Sequence, residues 1–467
     1  MVFAAHSERY SRVKNDPRLH PGLLAEALTY GRPEAIAWYE RPFLKKVRHA
    51  RARQWGHAVA LDDVPQRYLR TLGLPFPLPP VSFVGHHESH AMAGAATSGF
   101  SDAAVIVADA IGEFDTFTIW RYCRESGLRR LYRRRYPDSL GLLYSAFTRR
   151  CGFRPNEDEY IIMGMAAFGR PRYVEEIQRD WIAIEPPGFR LRRNVHRGIG
   201  DWLPNADAAD LAASIQAVTE MVQRNAAQWA RQASGSRNLV LMGGVALNCV
   251  ANSAISADGD FADIWIFPNP GDAGSSMGAA AAHVAGPVRW PGPYLGTDIQ
   301  RALDPAAVVR LLRSEGIVAV ANGRAEFGPR ALGNRSILAD PRPPDMKDRV
   351  NRIKGRERFR PFAPVIPLEL AHAEFDLPVP ASPYMQFTAR CREPERHAAV
   401  VHVDGTSRVQ TVTAEQHPVL YEILRAWRAE TGCPMLLNTS LNSRGEPLVN
   451  TWDDALTFGR REAVTVL

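Results

Sequence analysis

A chain of 467 residues with 45% hydrophobic and 23% charged side chains has the length for two sizeable domains and the composition of an ordinary folded protein. No apolar run approaches the roughly 18–20 residues of a membrane span, and the N-terminus lacks a secretory-signal pattern, so neither a membrane-embedded nor an exported protein is expected. The net charge of +7, carried mostly by arginine, is compatible with a nucleic-acid partner, yet helix-turn-helix, zinc-finger and aromatic–basic RNA motifs are absent, and five scattered cysteines without a CxxC pair point to reduced thiols in a cytoplasm.

In chain order, Met1–Arg12 reads as a short strand, Val2–Ala5, running into a polar segment. Pro21–Leu72 reads as mostly helical from the spacing of Leu23, Leu24, Ala27 and Leu28, with Lys45–Arg53 as an exposed basic helix face. After a proline-rich connector, Pro75–Pro80, the run Val81–Val84 is a buried strand ending at Gly85, and His86-His87-Glu88-Ser89-His90 opens an alanine-rich helix. His86 and His90 are four apart, so a helix presents both imidazoles on one face, a spacing suited to two ligands of one divalent ion. The bland alternative is two helical histidines with no ligand. HExxH is excluded, because His87 follows His86 where that motif needs glutamate.

Ala103–Ala108 is an apolar strand ending at Asp109, followed by Ala110-Ile111-Gly112-Glu113 and a second strand, Thr116–Tyr122. A strand, a tight loop with Asp, Gly and Thr, and a second strand is how actin-like ATPase folds hold phosphate and metal; the alternative is an ordinary hairpin. Asp207–Ser234 carries a core-facing stripe of Leu211, Ile215, Val218, Val222 and Trp229. The strand Leu239–Met242 leads into Gly243-Gly244-Val245-Ala246-Leu247-Asn248, where a diglycine permits close approach to phosphate or ribose. Strand Asp263–Phe267 runs through a Pro/Gly-rich turn into a helix starting at Asp272, by spacing alone a helix cap.

Three prolines and three glycines in Gly286–Gly296 mark a linker, which sets expected domains at 1–290 and 298–467. The second domain alternates short strands (Ile317–Val320, the Leu338 region, Val365–Pro367, Thr411–Val412) with helices at Pro418–Glu430 and Trp452–Phe458, a mixed α/β pattern. Eleven arginines and lysines lie between Arg324 and Arg360, interleaved with glycines, prolines and the apolar Phe327, Leu332 and Ile337. Arginine forks match phosphate oxygens bidentately and glycines let backbone approach a ligand, so this stretch reads as a pocket for phosphorylated ligands; the alternative is a solvated basic surface.

The motifs HHESHA (His86–Ala91), GGVALNCVANS (Gly243–Ser253), GRAEFGPRALGNRSILADPR (Gly323–Arg342), RIKGRERFRPFAP (Arg352–Pro364), HVDGTSRVQTV (His402–Val412) and LLNTSLNSRGEPLVNT (Leu436–Thr451) resemble, in order, the carbamoyltransferases typified by nodulation protein U and the cephamycin and tobramycin enzymes. The resemblance covers roughly Phe3–Val466. It implies an actin-like first domain akin to the threonylcarbamoyl-tRNA synthesis enzyme and a YrdC-like second domain. ATP and carbamoyl phosphate would form carbamoyl adenylate in the second domain, and an acceptor hydroxyl would take the carbamoyl group in the first. It further implies a divalent metal, iron being the expected one with magnesium accompanying ATP, on His86, His90, Asp109 and Asp272. Gly112, Thr116, Gly243, Gly244 and Asn248 would hold the adenylate. Arg330, Arg335, Ser336, Lys354, Arg360, Arg408, Asn438, Ser440 and Asn442 would hold ATP and carbamoyl phosphate. Asp109, Glu113 and Arg330 are the expected catalytic groups.

Three departures stand out. Ala110 replaces a usual glycine, Ile161 replaces a usual lysine, and the family's N-terminal catalytic histidine has no counterpart, since His6 lies beyond its position. The general base is then Asp109, Glu113 or a metal-bound water. Both ends read as shorter than the family's, and a homodimer is compatible with the pattern. The acceptor is expected to be a small molecule, sugar or antibiotic-like product. The alternatives are a hydroxymethylated DNA base, or a nucleotide-binding homologue that has lost transfer.

Overall fold

The computed structural model describes residues 1–51, 54–61, 64–284 and 288–467; Arg53 of the basic run and Gly286 and Pro287 of the expected linker lie outside them. The chain divides into two compact units, one of Gly31–Trp290 and the other of Met1–Tyr30 with Pro291–Leu467. Both are mixed α/β. Among the described residues no helix is long and apolar enough to cross a membrane.

In the Gly31–Trp290 unit a five-stranded sheet is built from β1 (Asp102–Gly112), β2 (Asp115–Cys123), β3 (Gly127–Arg135), β4 (Asn238–Met242) and β5 (Asp263–Ile266), in the order β3-β2-β1-β4-β5. β1–β3 form an antiparallel meander, and β4 and β5 extend it in parallel from β1. The run Ala103–Ala108 is buried throughout, as a central strand covered on both faces requires. Flanking helices are α1 (His86–Thr97), α2 (Leu140–Arg150), α3 (Ala208–Ser234), α4 (Cys249–Ala257) and α5 (Asp272–Val284). α3 starts where the Asp207 side chain accepts the Ala209 and Asp210 amides and stops at left-handed Gly235; Leu211, Ile215, Val218 and Val222 face the core.

The parallel arrangement puts the carboxyl ends of β1, β4 and β5 along one edge, the usual place for a ligand in such sheets. α1 and α5 meet close by. Both are rich in Ala, Gly and Ser, and a Cβ on Gly278 would stand 1.8 Å from the Ser89 carbonyl oxygen. Gly278→Ala therefore forces the two helices apart. Its expected cost is about 3 kcal/mol, typical of overpacking a tight contact, read as a lower urea midpoint at unchanged slope.

The second unit centres on β6 (Ile317–Ala321), β7 (Arg335–Ala339), β8 (Ala363–Pro367), β9 (Gln410–Val412) and β10 (Leu436–Ser440), in the order β6-β7-β10-β8-β9. All pairs are antiparallel except β8–β9. Helices α6 (Pro305–Glu315), α7 (Met346–Ile353), α8 (Pro418–Thr431) and α9 (Trp452–Glu462) surround it, with Val309, Leu424 and Trp427 in one apolar core with the strands. α8 is capped by His417, whose Nδ1 accepts from the Leu420 amide at 3.1 Å while Nε2 lies 2.9 Å from Asn334 Oδ1. Burial pushes the His417 pKa down to about 4. The unfolded chain then binds a proton near pH 6.5 that the folded one refuses. Stability is full above pH 6.5, falls as pH drops toward 4, and loses about 3 kcal/mol in all. His417→Asn, which keeps a capping side chain but cannot titrate there, should flatten denaturant midpoints measured between pH 7 and 4.5.

Residues 1–30 fall in the same compact unit as Pro291–Leu467, and Val2–Ala5 is not a strand. Their polar groups are spent on the second unit: the Ala4 amide donates to Leu295 O at 3.1 Å, Arg9 donates to Gly328 O at 2.9 Å, and Arg12 donates to Leu448 O at 2.5 Å. Within the stretch read as helical, Ile36–Trp38 is a strand paired in parallel with Val81–Phe83, its aromatic and β-branched residues favouring that partner over a helix that Pro33 already interrupts.

Candidate functional site

Four side chains converge at the carboxyl edge of the first sheet. His86 and His90 come from the first turns of α1, Asp109 from the end of β1, and Asp272 from the start of α5, with one donor atom of each lying within 4.8 Å of all the others. β1 reaches this point through an irregularity: between the pairs Ala108↔Phe117 and Gly112↔Asp115, three residues face one. Such a bulge re-aims a side chain. Here it turns Asp109 toward the histidines, and the Ser139 hydroxyl holds the loop by donating to Ala110 O at 2.7 Å. Asp109 Oδ1 accepts the Ala110 amide at 2.8 Å and the Gly244 amide at 3.4 Å, leaving Oδ2 free to face the imidazoles.

The spacing of the donors tests whether an ion fits. His86 Nε2 lies 3.1 Å from His90 Nε2, 3.2 Å from Asp109 Oδ2 and 3.3 Å from Asp272 Oδ1; His90 Nε2 lies 3.5 and 3.4 Å from the same two oxygens. Ligands about 2.1 Å from a common ion stand about 3.0–3.4 Å apart in octahedral or tetrahedral arrangements. Two nitrogens and two oxygens at these separations fit a borderline divalent ion. Burial works against charge on both histidines, yet Asp272, Asp109 and Glu40 raise His86 well above the usual imidazole range, and Asp109 and Asp272 raise His90. Burial also opposes charge on Asp109, and the two histidines hold it well below the usual carboxylate range. Asp272 is the exposed member, with 58% of its side chain open to solvent, so the cluster opens on its side.

Several expected adenylate-binding residues serve this cluster or the fold instead. A Cβ on Gly112 would lie 2.2 Å from the His86 ring, so that glycine makes room for a ligand histidine. Gly243 adopts φ +87 and its amide donates to Pro270 O at 2.9 Å, closing the turn that delivers the Gly244 amide to Asp109. Thr116 is fully buried and its hydroxyl donates to the Asp138 carbonyl. Asn248 caps α4 through the Ala251 amide at 3.1 Å and exchanges hydrogen bonds with Gln216 at 2.9 and 3.0 Å. Thr116 is thereby turned into the fold, and Asn248 is engaged through both its oxygen and its amide nitrogen. Glu113 has both oxygens engaged by Arg41, at 3.0 Å from Nε and 2.7 Å from Nη2, with the Arg41 amide at 2.7 Å as well. That arrangement makes it an anchor for residue 41 rather than a general base.

In the second unit the expected phosphate ligands divide in the same way. Arg335 is fully buried and its guanidinium donates to the carbonyls of Asn322, Gly323, Asn334, Thr297 and Asn450 at 2.8–3.2 Å. Every donor is committed to backbone, so Arg335 braces the fold and is withdrawn from the phosphate set. The buried Ser336 hydroxyl accepts the Gly333 amide at 2.9 Å. Lys354, Ser440 and Asn442 do meet: Lys354 Nζ donates to Ser440 Oγ at 3.1 Å, Asn442 Oδ1 at 3.0 Å and Asn442 O at 2.8 Å. Burial, with Arg356 and Arg360, pushes its pKa well below the usual lysine range. Asn438 donates to Gln410 at 2.6 Å and to Ala331 O at 3.2 Å, tying the loop that bears Arg330 to β10; its Oδ1 finds no hydrogen-bond partner among the described residues. Arg330, Arg360 and Arg408 are half-buried.

Sequence reasoning missed Glu326, which is fully buried and accepts the amides of Leu332, Asn334 and Arg335 on one oxygen at 2.7–3.2 Å, shaping that same loop. It missed Glu40 and Arg41 too, because no local pattern marks a residue whose partner lies far along the chain.

Family models fall on both halves: the carbamoyltransferase N-terminus matches residues 75–281 and the carbamoyltransferase C-terminus residues 309–467. An uncharacterized protein of Synechocystis sp. is 38% identical over 453 residues, covering 81% of this chain and 73% of that protein. Nodulation protein NolO of Bradyrhizobium diazoefficiens is 36% identical, covering 80% of this chain and 75% of that protein. The 3'-hydroxymethylcephem-O-carbamoyltransferase of Amycolatopsis lactamdurans is 33% identical, covering 69% and 66% respectively. A solved HypF from T. kodakarensis is 16% identical, with a TM-score of 0.29 over 49% of this chain and 39% of that one, a likeness too low to carry weight. With a four-residue cluster inside one matched segment and the arginine-rich loops inside the other, this chain belongs to the carbamoyltransferase family of enzymes.

Proposed function

We propose that the protein is an ATP-dependent O-carbamoyltransferase with an actin-like transfer unit and a YrdC-like adenylating unit. The observation that carries this reading is the convergence of His86, His90, Asp109 and Asp272 at the carboxyl edge of the first sheet. The bulged strand–loop–strand around Asp109 supports the actin-like part.

In the adenylating unit, water cleaves carbamoyl phosphate to carbamate and phosphate, and a carbamate oxygen attacks the α-phosphorus of ATP, giving carbamoyl adenylate as pyrophosphate leaves. We assign Arg330, Arg360 and Arg408 to the phosphate oxygens, which their guanidinium forks match; Arg360 also faces Glu357 at 3.5 Å. Lys354 holds the turn from Ser440 to Asn442 in one shape. In the transfer unit the acceptor hydroxyl attacks the carbamoyl carbon and AMP leaves. His86, His90, Asp109 and Asp272 would hold a divalent ion, iron or another that accepts two nitrogens and two oxygens, which supplies Lewis-acid polarisation when bound. Asp272, at the open side, is the carboxylate of the cluster placed nearest an entering acceptor.

The test needs no guess about the acceptor. Purified protein with ATP should release pyrophosphate only when carbamoyl phosphate is added; no release under any condition overturns the reading. A second reading, transfer to a hydroxymethylated DNA base, draws on β3, where exposed Arg129 and Arg130 lie beside exposed Arg121 across the ladder from Arg129. Duplex DNA should then be bound with an affinity that falls steeply with salt, and a gel shift insensitive to salt removes it.

A further inference from the structure

Residues 36–41 precede the matched segment, which begins at residue 75, yet they form one wall of the cluster. The placement follows from register. Ile36–Trp38 pairs in parallel with Val81–Phe83, Trp38 opposite Phe83, and the Val84 amide donates to Trp38 O at 2.9 Å. Two residues on from Trp38 and three on from Phe83, Glu40 and His86 are brought side by side. The Tyr39 ring packs edge-on against the His86 imidazole, with centroids 5.6 Å apart. Arg41 is fixed by its three hydrogen bonds to Glu113. Glu40, between them, has its side chain 14% exposed, with Oε1 held by Lys45 at 2.5 Å and Oε2 facing His86 Nδ1 at 3.8 Å. That nitrogen is buried and makes no hydrogen bond at its present distance.

His86 points Nε2 into the cluster, so the ring proton sits on Nδ1 whenever Nε2 serves as a ligand. A ligating imidazole nearly always donates that proton to an oxygen, which fixes its tautomer and strengthens it as a ligand. The carboxylate facing Nδ1 is Glu40, and a small rotation of that carboxylate closes the gap; contacts of this kind are often long before the site is filled.

We infer that Glu40 is a positioning residue for the metal centre, orienting His86 through Nδ1, and that the segment Ile36–Arg41 completes a site whose ligands all come from elsewhere. The inference rests on the metal reading of the cluster. Lys45 keeps Glu40 ionised and aimed, and Tyr39 limits the swing of the imidazole plane.

The experiment is a cobalt(II) titration of the full chain, followed by the visible ligand-field absorption and by competition with a chelator. Removal of such an outer partner typically weakens metal binding about 10–100-fold. Glu40→Gln, which keeps shape and loses charge, should sit near the lower figure and Glu40→Ala near the upper, each with an altered band and with the melting temperature of the metal-free protein unchanged. A role confined to packing would leave the band as it is. If both variants bind cobalt within about twofold of the parent with the same spectrum, Glu40 is not a positioning residue. If Glu40→Ala melts early, Glu40→Gln decides alone. A parent protein that binds no cobalt, or whose band survives His90→Ala, overturns the metal reading itself and this inference with it; that outcome is distinct from a parent that binds and variants that match it.

Discussion

His90→Ala is expected to strip the protein of bound metal and to lower carbamoyl transfer by about a thousandfold or more, while carbamoyl-phosphate-dependent pyrophosphate release stays within about twofold. His90 is fully buried, and its Nε2 lies within 3.5 Å of His86, Asp109 and Asp272. Taking away one of two nitrogens leaves a chelate of one imidazole and two carboxylates, one of them exposed. The residues proposed for adenylation lie in the other compact unit, so the half-reaction should persist. Metal content by elemental analysis and transfer by mass of the product check the two halves. Retention of metal and transfer together would remove the cluster from the mechanism.

Arg335→Leu and Arg330→Ala should fail in opposite ways. In the first, five backbone carbonyls lose a guanidinium donor in a fully buried position, and of them Asn334 O still accepts the Asn322 amide. Each buried group left unsatisfied costs about 1–3 kcal/mol, so the sum rivals the roughly 5–15 kcal/mol by which a domain is stable at all. The variant should be insoluble or unfolded in its second unit. Arg330 is half-buried on a loop that Glu326 and Asn438 hold in shape; its alanine variant should remain folded, and yet pyrophosphate release should fall at least about a hundredfold. Circular dichroism melting alongside the release assay separates the two. Equal loss of activity in two equally folded variants would return Arg335 to the phosphate set.

These two arginines show where sequence reading stops. Both stand in GPRALGNRS among glycines. A guanidinium fork suits a carbonyl cage as well as a phosphate, and nothing local distinguishes the two uses. Thr116 and Asn248 pose the same ambiguity: short polar groups near glycines serve caps and buried pairs as readily as ligands. Strands and helices with strong periodicity were legible, as in α3, whose stripe and cap residues stand in the sequence. The helical spacing of His86 and His90 was legible as a face, whereas Asp109 and Asp272 were drawn in by resemblance, since only the sheet's edge brings them to the histidines. Glu40 was invisible because its meaning depends on a strand register set some 45 residues away, Ile36 against Val81.

The interrupted unit has a consequence in time. Residues 1–30 leave the ribosome long before their partners: Arg9 binds a carbonyl 319 positions later, and Arg12 one 436 positions later. At about 5–20 residues per second that second delay is roughly 20–90 s. Gly31–Trp290 can complete its own core during the wait, whereas the enclosing unit closes only when Leu448 appears. A nascent chain stalled before that point would therefore carry a finished middle and an unpaired Arg12.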